Sequence, residues 1–186
     1  MPVLKEIRWH GRGGQGVVTA SQILAQAALS EGRYVQAFPE FGPERTGAPL
    51  RGFTRISDRP IDVHSQVYTP RTVVVIDPTL LKTVNVTSGL QKGGRLLVNT
   101  TERPKELKKA LGAEDFRVYT VDATRIALDL IGGPFFNTPM LGALIRVTRI
   151  VPLDSVVGTV EERFRGEIAE RNVAALKRAF EEVRGA

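Results

Sequence analysis

Val3-Leu4-Lys5-Glu6-Ile7-Arg8-Trp9-His10-Gly11-Arg12-Gly13-Gly14-Gln15-Gly16-Val17-Val18-Thr19-Ala20 is the stretch that decides the fold class. Val3 to Trp9 reads as a strand. The turn Gly11-x-Gly13-x-x-Gly16 follows, and then Val17, Ala20, Leu24, Ala27 and Ala28 recur at helical spacing to about Ser30. Gly32 ends that helix. Strand, glycine turn and helix in this order form the context in which backbone N–H groups meet an anion at a helix N-terminus. The same glycines also suit a strand-to-helix turn that needs small residues only for packing. The Walker lysine and hydroxyl are absent, because Val17 and Val18 follow Gly16. A dinucleotide fold wants an acidic residue about 20 residues on, at the end of the second strand. Glu40, behind Pro39, comes late for that role.

Outward from the turn, strand-like and helix-like segments alternate, which points to an α/β layer fold with a mostly parallel sheet. Tyr34 to Phe38 is a short strand, and a loop rich in turn residues runs from Pro39 to Pro49. Leu50 to Ile56 has strand character, Asp58-Arg59-Pro60 turns the chain, and Ile61 to Tyr68 reads as a further strand paired with it. Thr72 to Ile76 is the continuous β-branched run of a strand buried on both faces. Strands follow at Arg95–Asn99 and Arg117–Val121, with helices over 79–82, 104–111 and 124–131. Thr138 reads as a cap with proline behind it, opening an apolar helix to about Val147. Asp154 reads as the cap of a helix carrying Val156, Val157, Val160 and Phe164, which Gly166 breaks. A last helix places Ala169, Val173, Leu176, Phe180 and Val183 in one stripe, for packing on the sheet or on another subunit, intramolecular packing being the plainer outcome. The expected architecture is a Rossmann-like three-layer α/β domain, single over residues 1–186, with C-terminal helices.

Composition narrows the chemistry. Cysteine is absent, so disulfides, thiolate nucleophiles and cysteine-ligated iron–sulfur or zinc sites are excluded from this chain. Only two histidines, His10 and His64, are present, too few for a self-contained metal enzyme. No apolar run approaches the roughly 18 residues of a membrane span, and the N-terminus lacks the pattern of a secretory signal, so a cytoplasmic protein is expected. The net charge of +6 favours an anionic partner. Basic and acidic residues are interleaved, however, which argues against nucleic acid. Arginine outnumbers lysine and amide side chains are few, a composition that fits a thermophile.

Two regions carry candidate binding residues. The first is the turn itself, Gly11, Arg12, Gly13, Gly14, Gln15 and Gly16. The second is the loop Pro39-Glu40-Phe41-Gly42-Pro43-Glu44-Arg45-Thr46-Gly47-Ala48-Pro49-Leu50-Arg51-Gly52, longer than an ordinary connection in an α/β domain. Arg45 and Arg51 are suited to phosphate or carboxylate. A solvated loop with local ion pairs explains the same composition. Asp77 and Asp122 stand at strand ends just before helices and read as caps. No Ser/His/Asp arrangement is legible.

Trp9-His10-Gly11-Arg12-Gly13-Gly14-Gln15-Gly16 with Ala20-Ser21 resembles the start of the gamma subunit of 2-oxoacid:ferredoxin oxidoreductases. Ala37-Phe38-Pro39-Glu40-Phe41-Gly42, Glu44-Arg45-Thr46-Gly47-Ala48-Pro49 and Asn137-Thr138-Pro139-Met140-Leu141-Gly142-Ala143 are similar to the same family in the same order, closest to its pyruvate-specific branch. The resemblance implies a non-autonomous subunit whose complex uses thiamine diphosphate, iron–sulfur clusters and coenzyme A, with alpha, beta and delta subunits and ferredoxin as partners. It implies no cofactor bound by this chain alone. It also implies that the 11–16 turn and the 44–49 loop face the shared active site. There Gly13, Gly14 and Gly16 would hold an anionic group of coenzyme A, and Arg45, Thr46, Gly47 and Arg51 would lie beside its phosphates. An NAD- or FAD-binding oxidoreductase and a purely structural assembly subunit are the competing readings.

Overall fold

The computed structural model describes residues 4–40 and 47–185. In chain order the elements are β1 (Lys5–Arg12), α1 (Val17–Ser30), β2 (Tyr34–Glu40), β3 (Pro49–Ser57), β4 (Thr72–Val75), a 3-10 helix (Pro78–Lys82), β5 (Arg95–Asn99), α2 (Pro104–Ala110), β6 (Arg117–Val121), α3 (Ala123–Leu130), α4 (Asn137–Thr148), α5 (Leu153–Arg163), α6 (Glu167–Glu182) and β7 (Arg184–Gly185). They build one sheet in the order β2-β3-β1-β4-β5-β6-β7. Strands β1, β4, β5 and β6 run parallel. The β2–β3 hairpin and β7 flank them antiparallel. The expected parallel sheet is therefore the centre of a mixed one.

Strand β4 explains the three layers. Its four residues Thr72-Val73-Val74-Val75 are all buried, as a strand covered on both faces must be. Val74 and Ile76 join Ile7, Trp9, Leu97 and Val121 under a thick helical layer from α1 and α3 to α6. Val73 and Val75 point the other way, with Leu96, Val98 and Val118, onto a thinner cover containing Leu80, Val86, Leu90 and Leu107. The C-terminal stripe packs within the chain, with Leu176 and Ala179 fully buried in the larger core. Helices α4 and α6 cross closely: a Cβ on Gly142 would run into the backbone carbonyl of Leu176.

Three expectations are corrected. Ile61 to Tyr68 is not a strand. Both edges of β3 are already taken, by β1 and β2, so no ladder remains for it. The segment is held over the sheet face instead, by Arg55 donating to the carbonyls of Val63 and Gln66 and by Gln36 donating to that of Ile61. Thr138 is not a cap, since α4 starts at Asn137 behind Phe136. The Thr138 hydroxyl is buried and donates to Asn172 Oδ1 at 2.8 Å. Asp154 lies inside the first turn of α5, after the cap position at Pro152, where its charge still suits the helix dipole. The two-residue β7 has no periodicity to announce it. Asp77 and Asp122 do act as caps, accepting from the N–H groups of Thr79 and Arg125.

Gly142→Ala should lower the melting temperature of the purified chain by several degrees, because the added methyl meets backbone and the two helices must separate. Overpacking of this kind costs about 1–3 kcal/mol, and each kcal/mol is worth about 2–4 °C in a chain of this size. Differential scanning calorimetry checks it, with Gly158→Ala, where nothing lies within 4 Å of an added Cβ, as the control.

Candidate functional site

The C-terminal end of β1 is organised by one carboxylate. Asp77 Oδ2 accepts from Arg12 Nε at 3.0 Å and from Gln15 Nε2 at 2.8 Å. Its Oδ1 accepts from Thr79 N at 2.9 Å and from the Thr79 hydroxyl at 2.6 Å. Burial alone would raise this carboxyl. The hydrogen bonds from Thr79 and Gln15, and the charge of Arg12, outweigh burial and hold it below the usual carboxylate range. Gln15 also accepts from the Arg12 N–H at 2.7 Å, which closes the glycine turn on itself. Arg12 reaches across to the second loop, donating to the Gly47 carbonyl at 3.0 Å. Gly13 and Gly47 complete the seam: Gly13 N–H donates to the Ala48 carbonyl at 3.1 Å, and Gly47 N–H to the Gly13 carbonyl at 3.3 Å. Sequence reading identified Asp77 as a cap only. Its position at the end of a strand next to the glycine turn was the available signal.

The glycines divide by task. Gly11 sits where a Cβ would be 2.5 Å from Val17 Cγ2, so it lets the first residue of α1 lie against the sheet. Gly16, at φ 77°, is the left-handed N-cap of α1, and a Cβ there would be 2.8 Å from the side chain of Asn137. Gly13 has already given its N–H to Ala48. Among the described residues, no side chain accepts from the first N–H groups of α1, and its first turn carries no acid. These donors open on a groove of about 490 Å³ whose walls include Gly14, Thr19, Phe135, Asn137 and Ile168.

Arg51 lies elsewhere. Its Nη2 donates to Glu40 Oε1 at 2.7 Å, and its Nε lies 2.7 Å from Oε2 without the angle of a hydrogen bond. The ladder pairs Arg51 with His10 on one side and Glu40 on the other, on the sheet face opposite α1. A smaller pocket of about 180 Å³ between His10, Arg51 and Leu80 opens there. Thus the turn and Arg51 share a sheet edge but face different sides of it. Arg45 and Thr46 lie outside the described residues. His64 is exposed and remote.

His10 is the buried base of that second face, only 2% exposed. Its Nε2 accepts from Arg8 Nε at 3.0 Å, which requires the neutral ring with its proton on Nδ1. Burial, then the charges of Arg8 and Arg51, push its pKa down to about 3. Arg8 is itself lowered to about 10, by burial first, then by the charge of Arg51, partly opposed by Glu40. It is fixed by the carbonyls of Val86 and Ser88.

The dinucleotide reading loses its support in this topology. In that fold the second strand lies parallel beside the first. Here the second strand is one arm of an antiparallel hairpin, with β3 between it and β1. Glu40, the candidate ribose partner, points to the face away from α1 and is paired with Arg51.

Two outcomes follow from these contacts. The unfolded chain protonates His10 near pH 6.5, whereas the folded chain does so only near 3. Folding stability from this residue is therefore complete above pH 6.5 and falls as pH drops toward 3, by about 1.4 kcal/mol per pH unit. His10→Gln, which still accepts from Arg8 and cannot titrate, should flatten that limb of a denaturant-midpoint series against pH. Asp77→Ala should release Arg12 and Gln15 together. Hydrogen exchange at the Gly13 and Gly47 amides should then accelerate at least tenfold, while amides in β5 keep their protection. Unchanged exchange at Gly47 would mean that the seam stands without the carboxylate.

The sequence profile of the pyruvate ferredoxin/flavodoxin oxidoreductase family matches residues 6–182. The chain is 51% identical to the pyruvate/ketoisovalerate oxidoreductases common subunit gamma of Thermococcus litoralis, over 95% of each chain. It is also 51% identical to pyruvate synthase subunit PorC of Thermotoga maritima, covering 99% of this chain and 98% of that one. The crystal structure of the Thermotoga maritima pyruvate oxidoreductase subunit superposes with a TM-score of 0.89 at 49% identity, over 98% of each chain. It has the same α/β architecture. The chain belongs to the pyruvate ferredoxin/flavodoxin oxidoreductase family, among its gamma subunits.

Proposed function

We propose that residues 1–186 act as one unit, the gamma subunit of a cytoplasmic pyruvate:ferredoxin oxidoreductase, in which pyruvate, coenzyme A and oxidised ferredoxin yield acetyl-CoA, carbon dioxide and reduced ferredoxin. The observation that carries the reading is the end-to-end likeness to gamma subunits of pyruvate oxidoreductases, with this chain and its relatives covering one another almost completely. The chain's own chemistry agrees with a supporting role. With no cysteine it has no thiolate to ligate cluster iron, so iron–sulfur clusters belong on alpha, beta or delta partner chains, as does thiamine diphosphate.

Coenzyme A is the group that this chain's residues fit. Bound, it supplies the thiol that accepts the acyl group. The edge joined by Arg12 and Asp77 offers the N–H groups of Gly14 and Gly16 with the dipole of α1 behind them, and these orient an anion. Arg51 adds charge beside the second loop, where it would exchange part of its contact with Glu40 for phosphate, and Arg45, within that loop's sequence, is the second cation assigned to it. Phe38, at the root of that loop, packs on Phe53 with ring centroids 5.2 Å apart, which keeps the strand supporting Arg51 rigid.

The test is reconstitution. The purified chain alone should fold and reduce no dye with pyruvate. The complex assembled with it should be active, and the complex lacking it should not. Within the assembled enzyme, Arg45→Ala and Arg51→Ala should raise the KM for coenzyme A by one to two decades. That corresponds to losing a charge-assisted contact of about 1.5–3 kcal/mol. The KM for pyruvate should move much less. Full activity without this chain would overturn the assignment as a working subunit. Unchanged coenzyme A dependence in both variants would remove the arginines from the site.

A further inference from the structure

The two edges of the sheet are protected differently. β7 closes one side as a strand of only two residues, Arg184 and Gly185. That is too short to template another chain. β2 forms the other edge and runs for seven residues, with β3 on one side and no strand on the other among the described residues. Edges of this length are ordinarily blunted by a lysine, a bulge or a covering loop. Here Tyr34-Val35-Gln36-Ala37-Phe38 carries no charge and is rich in strand-favouring residues. Its ladder with β3 keeps one register from Tyr34 to Glu40, so no bulge twists the edge away. Pro39 is the single guard, close to one end.

Pro39 also shows which backbone groups face outward. It has no N–H to give to β3, so it occupies an outward position. Alternate residues of a strand direct their N–H and C=O to the same side, and Val35 and Ala37 therefore present theirs away from β3. The strip beside them is apolar on both faces. On one face α1 packs on β2, and its last turn leaves Leu29 60% exposed. On the other face Tyr34 is 49% exposed, and the segment tied down by Gln36 and Arg55 leaves Val63 exposed. Unpaired backbone flanked by apolar side chains is a surface that takes up another strand.

We propose that β2 pairs antiparallel with β2 of a second copy of this chain, joining two sheets into one across a two-fold axis. What selects a second copy is self-complementarity, since a two-fold contact uses the same patch on both partners. An axis at Gln36 sets Val35 against Ala37 of the other copy, so the outward N–H groups of both residues meet carbonyls. Tyr34 then faces Phe38, an aromatic pair of the kind that stabilises neighbouring strands. Arg33 faces Pro39, so no like charges are opposed. The ladder ends there, because Pro39 has no N–H and that of Arg33 already goes to the carbonyl of Ala28. An acidic partner, which the net charge of +6 would attract, finds no cation on this strand. The strip is about 24 Å long at about 3.4 Å per residue. It buries less than the roughly 1,200 Å² of a standard interface, so the dimer is a reversible one. β3 separates this edge from β1, and the pairing leaves the glycine turn uncovered.

The experiment is sedimentation of the purified full-length chain from low micromolar to near-millimolar concentration. A reversible dimer with a micromolar dissociation constant should appear. Tyr34→Lys, which puts a charge on the edge and removes the aromatic pair, should raise that constant at least tenfold with little change in melting temperature. Ala37→Pro, which removes an outward donor, should do the same. A cross-link tests the register. The chain has no cysteine, so Gln36→Cys supplies a unique thiol at the axis. Opposed Cα atoms of a non-hydrogen-bonded pair lie about 4.5 Å apart, within the reach of a disulfide. Mild oxidation should convert Gln36→Cys to a covalent dimer and leave Tyr68→Cys, exposed beside Gly89, monomeric. A chain that stays monomeric at the highest concentration overturns the proposal. So does a dimer that Tyr34→Lys leaves equally tight, or one in which Gln36→Cys cross-links no faster than Tyr68→Cys.

Discussion

The Asp77 carboxylate is the fixed point of the functional edge. It stands at the end of β4, buried on both faces, so its position is set by the best-packed strand of the sheet. From there it holds Arg12 and Gln15, one on each side of the glycine turn, and through Arg12 it reaches the Gly47 end of the second loop. The ion pair's own contribution is modest, since Arg12 keeps 30% of its side-chain exposure and solvent screens it. Its importance lies in geometry. Two glycine-rich segments with large conformational freedom are tied to one rigid strand, and the entropy lost in ordering them is offset once rather than separately.

With that edge fixed, the position of α1 follows. Val17 enters the space left by the missing side chains of Gly11 and Gly52. The helix thereby starts flush with the sheet, and its N-terminal donors emerge at the end of β1 rather than above it. Asn137 closes the other side because α4 is held down by its close crossing with α6. Two unrelated packing constraints, one around Gly11 and one around Gly142, therefore meet at the mouth of a single groove.

The parallel centre of the sheet was legible because burial on both faces leaves runs such as Thr72 to Ile76 with no polar alternation, and because the glycine turn separates two different hydrophobic periods. Helix ends were legible where a side chain makes the cap, as at Asp77 and Asp122. They were misread at Thr138 and Asp154, where proximity to a helix start suggested a cap that the backbone did not need. The hairpin geometry was not legible at all. Whether Tyr34–Glu40 joins β1 directly or through β3 depends on competition for strand edges, which local sequence does not encode. That one choice strands Ile61–Tyr68 outside the sheet, turns Glu40 away from α1, and so decides against a dinucleotide site.

The candidate site shows the same division. The glycine turn announces itself through composition, and Arg51 through its charge, but their common location on one edge concealed that they look to opposite sides. The even-numbered residues of β1, from Glu6 to Arg12, carry charge or imidazole, while Ile7 and Trp9 are core. That alternation already implied a polar face beneath the turn. Its arginines are largely committed: Arg8 to backbone carbonyls, Arg55 to Glu6 and the 63–66 segment, Arg51 to Glu40. A charged face so engaged is built to be rigid, and a ligand approaching from that side meets cations already partnered. The helical side offers the opposite: few charges, and first-turn N–H groups of α1 with no side-chain acceptor among the described residues. Affinity for an anion depends on what it does not have to displace. An anion on the arginine-rich side would have to draw Arg51 away from Glu40, whereas the first turn of α1 has no side-chain acceptor to give up among the described residues.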